Sequence, residues 1–596
     1  MKKSEKSQLS LPRLLAALLP MALKGAPALF ICSNLIGIIH GASHGVNTLV
    51  GQYFFDAVNA VVSQSAPVSR ALWTMAAMGG VALLCQVLNG VHNFMSDVFF
   101  RKMNGYLSAR IHEKSARLDA VAFENPSLLD DISKAREGAG NALMLLFTAI
   151  TIFTFYLPYF LFMAVYLYTL KPLLAVSLVL VFVPVACTQL IRGAVFTKLA
   201  DQAAPIRREY EYFEKCICDR EYFKETRILG AFTFFRRLYT DAVDLLASKV
   251  WHAERRAGLW ELAMKLLTLA GYLGVLWLLF TALMAGEISI GAFAAVFASI
   301  GMMFGIMEEI VCRHIGSMTK NLGTVRNFVR FMALPERAGG KAAPQAGQGI
   351  QLRGASFRYP GAEADSLSAV TLEVQPGETI AIVGENGAGK TTLVKLMTGL
   401  YLPTEGAVRI GGVSTADIAP EALYDGISAV FQKYQRYKMT LGENVSISAE
   451  EAQDMQDLLT QAVDKANLDV SGEAFPEGYG TMLAKEFDGV DLSGGQWQRV
   501  AIARGFFRAH GMIVLDEPTA AIDPLEEARI YRQFSELSRG KTAVIVTHRL
   551  GSAKIADRIV VMDRGQVEAV GTHEELMHSG GKYAQMFQAQ AQWYVV

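Results

Sequence analysis

TIAIVGENGAGKTTLVKLMTGL, residues 379–400, runs from a short apolar stretch through a glycine-rich turn into a helix-forming segment. Within it, Gly384-Glu385-Asn386-Gly387-Ala388-Gly389-Lys390-Thr391 fits the spacing GxxxxGK[ST]. Strand, turn and helix in that order are the context the spacing requires. Glycines let successive backbone N–H groups turn inward around phosphates, at a helix N-terminus that favours anions. Lys390 is placed to neutralise the β/γ-phosphates and Thr391 to hold Mg²⁺, with Thr392 next in the same turn.

The texture around this stretch, from Ile350 onward, is one of short apolar runs such as GMIVLDE alternating with helical segments. That pattern predicts an α/β domain with a mostly parallel core over 350–596. Residues 336–349, rich in Gly, Ala and Pro, read as a linker. The preceding 1–335 differ in kind. The chain of 596 residues is 52% hydrophobic and 19% charged, and its mean hydropathy of +0.27 points to a membrane protein. Runs near 27–49, 71–95, 142–168, 172–194, 260–284 and 289–312 approach the ~20 apolar residues a spanning helix needs. The leader MKKSEKSQLSLPRLLAALLPMALKG reads as an amphipathic interfacial helix rather than a signal peptide, because Pro12, Arg13, Pro20 and Lys24 interrupt its apolar run.

Connections alternate between short turns, at Leu170-Lys171 and Gly286-Glu287, and the long charged stretches 96–141 and 195–259. The long ones carry most of the Lys and Arg of this half, which places them and both termini on the cytoplasmic side. Their helix-forming composition predicts helices reaching well beyond the bilayer, each pair turning through a short transverse segment. The six cysteines form no CxxC pair and are expected as free thiols.

Met512–Glu517, MIVLDE, is an apolar strand ending in two carboxylates. Asp516 suits a Mg²⁺ shell, and Glu517 suits polarising a water aimed at a γ-phosphate. Further on come Leu492-Ser493-Gly494-Gly495-Gln496 and Thr547-His548. Together with the phosphate loop, these motifs resemble the ATPase domain of ATP-binding cassette (ABC) proteins over roughly 350–585. The spans in front resemble the membrane domain of half-transporter exporters. The resemblance implies a multidomain membrane protein: a six-helix all-α transmembrane domain with cytoplasmic helical extensions, followed by an α/β P-loop ABC ATPase domain.

It further implies ATP and Mg²⁺ as ligands, with Tyr359 stacking on adenine and Gln432 contacting Mg²⁺ and the attacking water. Ser493, Gly495 and Gln496 would serve the ATP held by a second copy, and His548 would contact the γ-phosphate. Asp523 matches a loop crossing the dimer, although the usual Ser-Ala-Leu-Asp is Ala-Ala-Ile-Asp here. A signature acting in trans makes a dimer, with a homodimer expected and a heterodimer the alternative. The implied function is ATP-driven export across a cell membrane, in bacteria the inner membrane, with the ATPase domain cytoplasmic. FQKYQRYKMTLGENV and FDGVDLSGGQWQRVAIAR are also similar to peptide exporters of the lantibiotic type. Export of lipids or amphipathic drugs, and gating or sensing rather than pumping, are the alternatives.

Polar groups within spans are candidate cargo contacts: His40 and His44 on one helix face, Asn89, His92 and Asn93 on the second span, Glu308 and Glu309 at the end of the sixth. The last two predict a cationic cargo. One stretch points elsewhere at first sight: Lys433, Arg436 and Lys438 alternate with Tyr434 and Tyr437, as in single-strand nucleic-acid binders. Zero formal net charge and six spans argue against a nucleic-acid partner. The expectation is that these cations meet Glu124, Asp130, Asp131, Asp219, Glu221 and Glu225 of the transverse segments.

Overall fold

The computed structural model describes residues 10–219, 221–310, 316–337, 339–340, 349–448, 454–507, 510–517, 529, 532, 534–536 and 538–592. Side chains of 126–131, 133, 308, 316–320 and scattered positions of 178–204 are outside that description. The chain divides into two compact units, 1–116 with 130–334, and 117–129 with 335–596.

The first unit is helical: α1 (Leu11–Gly25), α2 (Pro27–Val62), α3 (Val68–Arg117), α4 (Pro126–Thr151), a π-helical turn (Ile152–Tyr156), α5 (Leu157–Leu170), α6 (Pro172–Cys218), α7 (Phe223–Ile228), α8 (Phe232–Met284), α9 (Ile290–Glu308) and α10 (Gly316–Met332). In α1, Leu14, Leu18 and Ala22 are buried at four-residue spacing, so one face packs and the other is polar or exposed. Among the described residues, five helical stretches are long and apolar enough to cross a membrane: Pro27–Val62, Val68–Arg117, Lys134–Leu170, Phe232–Met284 and Ile290–Met307. The remaining expected span, 172–194, lies within α6, where several side chains are outside the described residues. The two short turns are joined by Lys171, whose ammonium is 2.5 Å from Glu287. At the start of α9, Ser289 caps the helix, and Asp56 accepts from the Gly291 N–H at 2.9 Å. Glycines permit close helix packing here. A Cβ on Gly41 would stand 2.2 Å from the carbonyl oxygen of Phe155, and one on Gly45 2.3 Å from the Phe162 ring.

The second unit is built on two sheets. One is antiparallel, in the order β2 (Leu367–Val374), β1 (Ile350–Phe357), β4 (Glu405–Ile410), β5 (Val413–Ser414). The other has the order β10 (Gln566–Gly571), β9 (Arg558–Asp563), β3 (Thr379–Gly384), β8 (Thr542–Val546), β7 (Met512–Asp516), β6 (Ile427–Val430). All its neighbours pair parallel except β10 with β9. β7 and β8 are buried along their whole length, which is why they read as continuous apolar runs. The helices that matter to the site are α11 (Lys390–Met397), α12 (Pro420–Asp425), α13 (Leu441–Ser446), α14 (Met455–Lys465) and α15 (Gly494–Phe507).

Three features were not in the sequence reading. Residues 117–129 group with 335–596: Ala120 and Val121, which open the short helix Ala120–Glu124, pack on the apolar core of the ATPase unit. The start of the linker is also docked there. The Arg337 guanidinium donates to the carbonyls of Gly399 (2.8 Å) and Thr415 (3.2 Å), and Gly340 bridges to Ile418.

Finally, the basic aromatic loop does not hold Glu124. Glu124 pairs with Lys395 and Tyr401, whereas Lys438 pairs with Glu486. The two loop tyrosines contact the ATPase unit itself: the half-buried Tyr434 hydroxyl donates to the Gly494 carbonyl at 2.9 Å, and Arg504 lies 4.7 Å over the ring of Tyr437, which stays exposed. Of the other expected partners, the side chains of Asp130 and Asp131 are outside the described residues, and Asp219, Glu221 and Glu225 belong to the helical unit. The five described cysteines are free; Cys312 lies outside the described residues.

Candidate functional site

Parallel pairing brings the carboxyl ends of β3, β6, β7, β8 and β9 to one edge of the sheet, where ligands of such sheets bind. The phosphate loop leaves β3, Gln432 follows β6, Glu517 follows β7 and His548 follows β8. They converge on a cavity of about 880 Å³. Asn386, Gly387, Gly389, Lys390, Thr391 and Thr392 line one part of it, and Gln432, Glu517 and His548 another.

The loop's shape depends on its glycines. Gly387 and Gly389 have φ of +83° and +98°, and a Cβ on Gly389 would meet the Ser366 carbonyl oxygen at 2.9 Å. Lys390 opens α11 and is buried, its ammonium donating to the carbonyls of Gly384 (2.9 Å) and Glu385 (3.0 Å). Burial pulls its pKa down, while Glu517 and Asp516 oppose that pull. The Thr391 hydroxyl is 3.5 Å from an oxygen of Asp516. Asp516 is 1% exposed, and burial, aided by the Glu517 charge, pushes its carboxyl up to about 6.

Glu517 has φ of +49°, an uncommon conformation for a residue with a Cβ. Gln432 donates its amide to one carboxylate oxygen at 2.7 Å, and Nε2 of His548 meets the other. Burial raises the Glu517 pKa and lowers that of His548. Both shifts favour a neutral imidazole donating a hydrogen bond over an ion pair.

The other residues singled out in the sequence lie apart from the cavity lining. Tyr359 packs edge-on against Phe357 at 5.0 Å, with its hydroxyl 3.2 Å from Thr392. Ala388 is buried behind the loop, and Glu385 faces Lys582 at 3.6 Å. Ser493 and Gln496 cap the start of α15 reciprocally: the Ser493 N–H donates to the Gln496 side chain at 2.9 Å, and the Gln496 N–H to the Ser493 hydroxyl at 3.3 Å. Ser493, Gly495 and Gln496 are not among the lining residues, and Asp523 lies outside the described residues.

Sequence reasoning missed Asp365, Ser366, Arg564 and Gly565, which also line the cavity. Arg564-Gly565 forms the tight turn after β9, with the Gly565 N–H bonded to the Ala388 carbonyl. The usable signal was the strand RIVVMD ending in a glycine turn, but its pairing beside β3 was needed to place it.

Residues 367–520 match the ABC transporter family. The subtilin transport ATP-binding protein SpaT of Bacillus subtilis is 26% identical over 94% of this chain and 91% of its own length. The nisin transport ATP-binding protein NisT of Lactococcus lactis subsp. lactis is 38% identical over 39% of each. An ATP-dependent lipid A-core flippase of Bordetella avium is 34% identical over 51% of this chain and 52% of its own. Among solved structures, a bacterial Atm1-family ABC exporter with ATP bound superposes with a TM-score of 0.76 over 98% of this chain and 99% of that one, at 19% identity, a likeness of fold. Residues 367–520 are an ABC transporter ATPase domain, and the order of apolar helices followed by one such domain is the half-transporter exporter build, in which ATP hydrolysis is coupled to transport.

Proposed function

We propose that this chain exports a peptide or amphipathic compound as a dimer, hydrolysing ATP at two composite sites. The observation that carries the reading is the convergence of Gln432, Glu517 and His548 opposite the phosphate loop. Glu517, with its raised pKa, suits the base that orients a water for in-line attack, and Gln432 fixes the carboxylate's direction. Lys390 would exchange its loop carbonyls for β/γ-phosphate oxygens, and His548 would donate to the γ-phosphate. Thr391, Asp516 and Gln432 form an all-oxygen donor set suited to Mg²⁺. That ion would supply charge neutralisation at the phosphates. Tyr359 would stack on adenine, and the phosphate-loop amides of 384–392 would hold the phosphate chain.

Ser493, Gly495 and Gln496 sit at a helix N-terminus, a setting that favours a phosphate, yet they do not line the cavity of their own copy. A second copy supplying them completes each site. One chain carries all the elements, so a homodimer suffices. The basic long connections support a multi-pass arrangement in a plasma membrane with a cytoplasmic ATPase. The peptide cargo is supported by the subtilin and nisin transport proteins, and a lipid cargo by the lipid A-core flippases.

The test is ATP-dependent uptake of labelled amphipathic peptides or lipids into inverted vesicles. Uptake by the wild type that is lost in Glu517→Gln is expected. Equal uptake in both would sink the reading.

A further inference from the structure

Among the described residues the last helix, Lys582–Gln592, adds nothing to the lining of the nucleotide cavity. It nevertheless touches the walls of that cavity at both ends. At its start the Lys582 ammonium pairs with Asp563 at 2.6 Å and faces Glu385 of the phosphate loop at 3.6 Å. Asp563 ends β9, immediately before the Arg564-Gly565 turn that lines the cavity. Near the other end, Gln590 reaches the loop that carries His548. Its side-chain amide donates to the His548 carbonyl and accepts from the Leu550 N–H at 3.0 Å. Those two peptide groups flank Arg549, so one side chain grips the backbone on both sides of the turn.

The helix is itself firmly seated, which makes it an anchor for that grip. Tyr583 is 1% exposed, and its hydroxyl is 2.8 Å from Nδ1 of His573. It shares an apolar cluster with Leu550 and Ala553, just after His548, and with Ala381 and Val383 of β3. The Lys554 ammonium lies 4.8 Å over the Phe587 ring. Inside the loop, the Thr547 hydroxyl accepts from the Arg549 N–H at 3.0 Å, and His548 projects Nε2 onto the Glu517 carboxylate. The chemistry of the grip is specific. A planar carboxamide offers a donor and an acceptor side by side. A carboxylate could accept from Leu550 but not donate to His548, and an apolar side chain could do neither.

We infer that Gln590 is a positioning residue for ATP hydrolysis: by holding the His548 carbonyl and the Leu550 N–H, it sets where the His548 imidazole points. It acts through the backbone alone. Displacing a reacting group by about 1 Å can cost about 10²-fold in rate. A loosened His548 loop therefore slows the chemistry, while nucleotide binding, which rests on the phosphate loop, continues. The inference rests on the γ-phosphate role proposed for His548 and adds what orients it.

The experiment measures kcat and KM for ATP, with unfolding temperatures, on the full chain in lipid nanodiscs. The chains compared are the wild type, Gln590→Leu, Gln590→Glu, His548→Ala, and one carrying both Gln590→Leu and His548→Ala. Gln590→Leu is expected to lower kcat about tenfold, with KM within about twofold of wild type. Gln590→Glu keeps the bond to Leu550, loses the one to His548, and is expected to fall as far. On the His548→Ala background, Gln590→Leu should change kcat by less than about twofold, because no imidazole is left to direct. If Gln590→Leu fails to fold, Gln590→Glu takes its place in each comparison. Wild-type kcat in Gln590→Leu, wild-type kcat in Gln590→Glu, or an equal loss on both backgrounds overturns the inference. So does a loss carried by KM, which decides the matter if His548→Ala turns over no ATP. Wild-type kcat in His548→Ala sinks the histidine's proposed role, and this inference with it. A lost kcat there with an unaffected Gln590→Leu sinks the inference alone.

Discussion

The carboxylate of Glu124 lies 3.0 Å from the Lys395 ammonium, and it also accepts from the Tyr401 hydroxyl. The same ammonium stands 5.6 Å over the ring of Tyr359, the proposed adenine platform. Two hydrogen bonds hold the Glu124 carboxyl below its ordinary pKa, Tyr401 first and Lys395 second. Residues 117–129 thus belong to the ATPase unit while joining two long helices of the other unit in sequence.

Replacing Glu124 tests that link. The pair is partly exposed, so its own contribution is modest, about 1 kcal/mol or less. Glu124→Ala is expected to raise the KM for ATP no more than about fivefold. It should lower the amount of cargo moved per ATP more strongly, as measured in vesicles with parallel phosphate release. Unchanged transport per ATP would remove the segment from the coupling route.

Glu517→Gln retains the hydrogen-bonding shape but not the base. Nucleotide binding should persist while hydrolysis falls about 10²–10⁴-fold. ATP should also accumulate in a closed dimer, detectable by crosslinking across the signature. Wild-type turnover would remove Glu517 from its role.

Tyr434→Phe deletes only the hydroxyl that bonds to the Gly494 carbonyl, next to Ser493. Losing such a bond costs about 1 kcal/mol. The expected result is normal ATP binding by fluorescent-nucleotide titration with turnover reduced severalfold. The Arg504 guanidinium lies over the exposed Tyr437 ring, so Tyr437→Ala should lower thermal stability slightly, by about 1 kcal/mol or less.

Asp516 sets a pH dependence. Its pKa rises from an ordinary 3.8 to about 6 in the folded chain, chiefly through burial and then through Glu517. The folded state therefore holds this proton more tightly than the unfolded one. The stability it contributes is full below pH 3.8 and is lost as pH rises through about 6. Nucleotide-free Asp516→Asn should unfold at a higher temperature than wild type near pH 7.5, with the difference shrinking toward about pH 4.5. Its Mg²⁺-dependent hydrolysis should be abolished. A pH-independent difference would contradict the burial argument.

Gly41→Ala should separate α2 from the π turn, because the added carbon would meet backbone rather than a movable side chain. A destabilisation of about 1–3 kcal/mol is expected, read as a lowered unfolding temperature in detergent. Unaltered stability would mean that the helices can shift freely here.

Several features were legible in the sequence because they are local. The phosphate loop, the strand ending in Asp516-Glu517, the signature and the apolar helices each declare themselves through spacing or periodicity within a short window. Even the order of the two units follows from where composition changes. What the sequence could not rank were pairings between distant residues of similar chemistry. Glu124 had several cations to choose from, and opposite charges attract without specifying a partner. Burial of Ala120 and Val121 made the choice, by seating the segment next to Lys395 rather than Lys433 or Lys438. Gln432 and Glu517 are 85 residues apart and meet because parallel β6 and β7 end at the same edge. His40 and His92 line one cavity only because α2, α3 and a π turn pack around it. The amino-acid order determined the chemical parts and the elements that carry them. Strand pairing and helix packing, which depend on contacts far apart in the chain, decided which parts face one another.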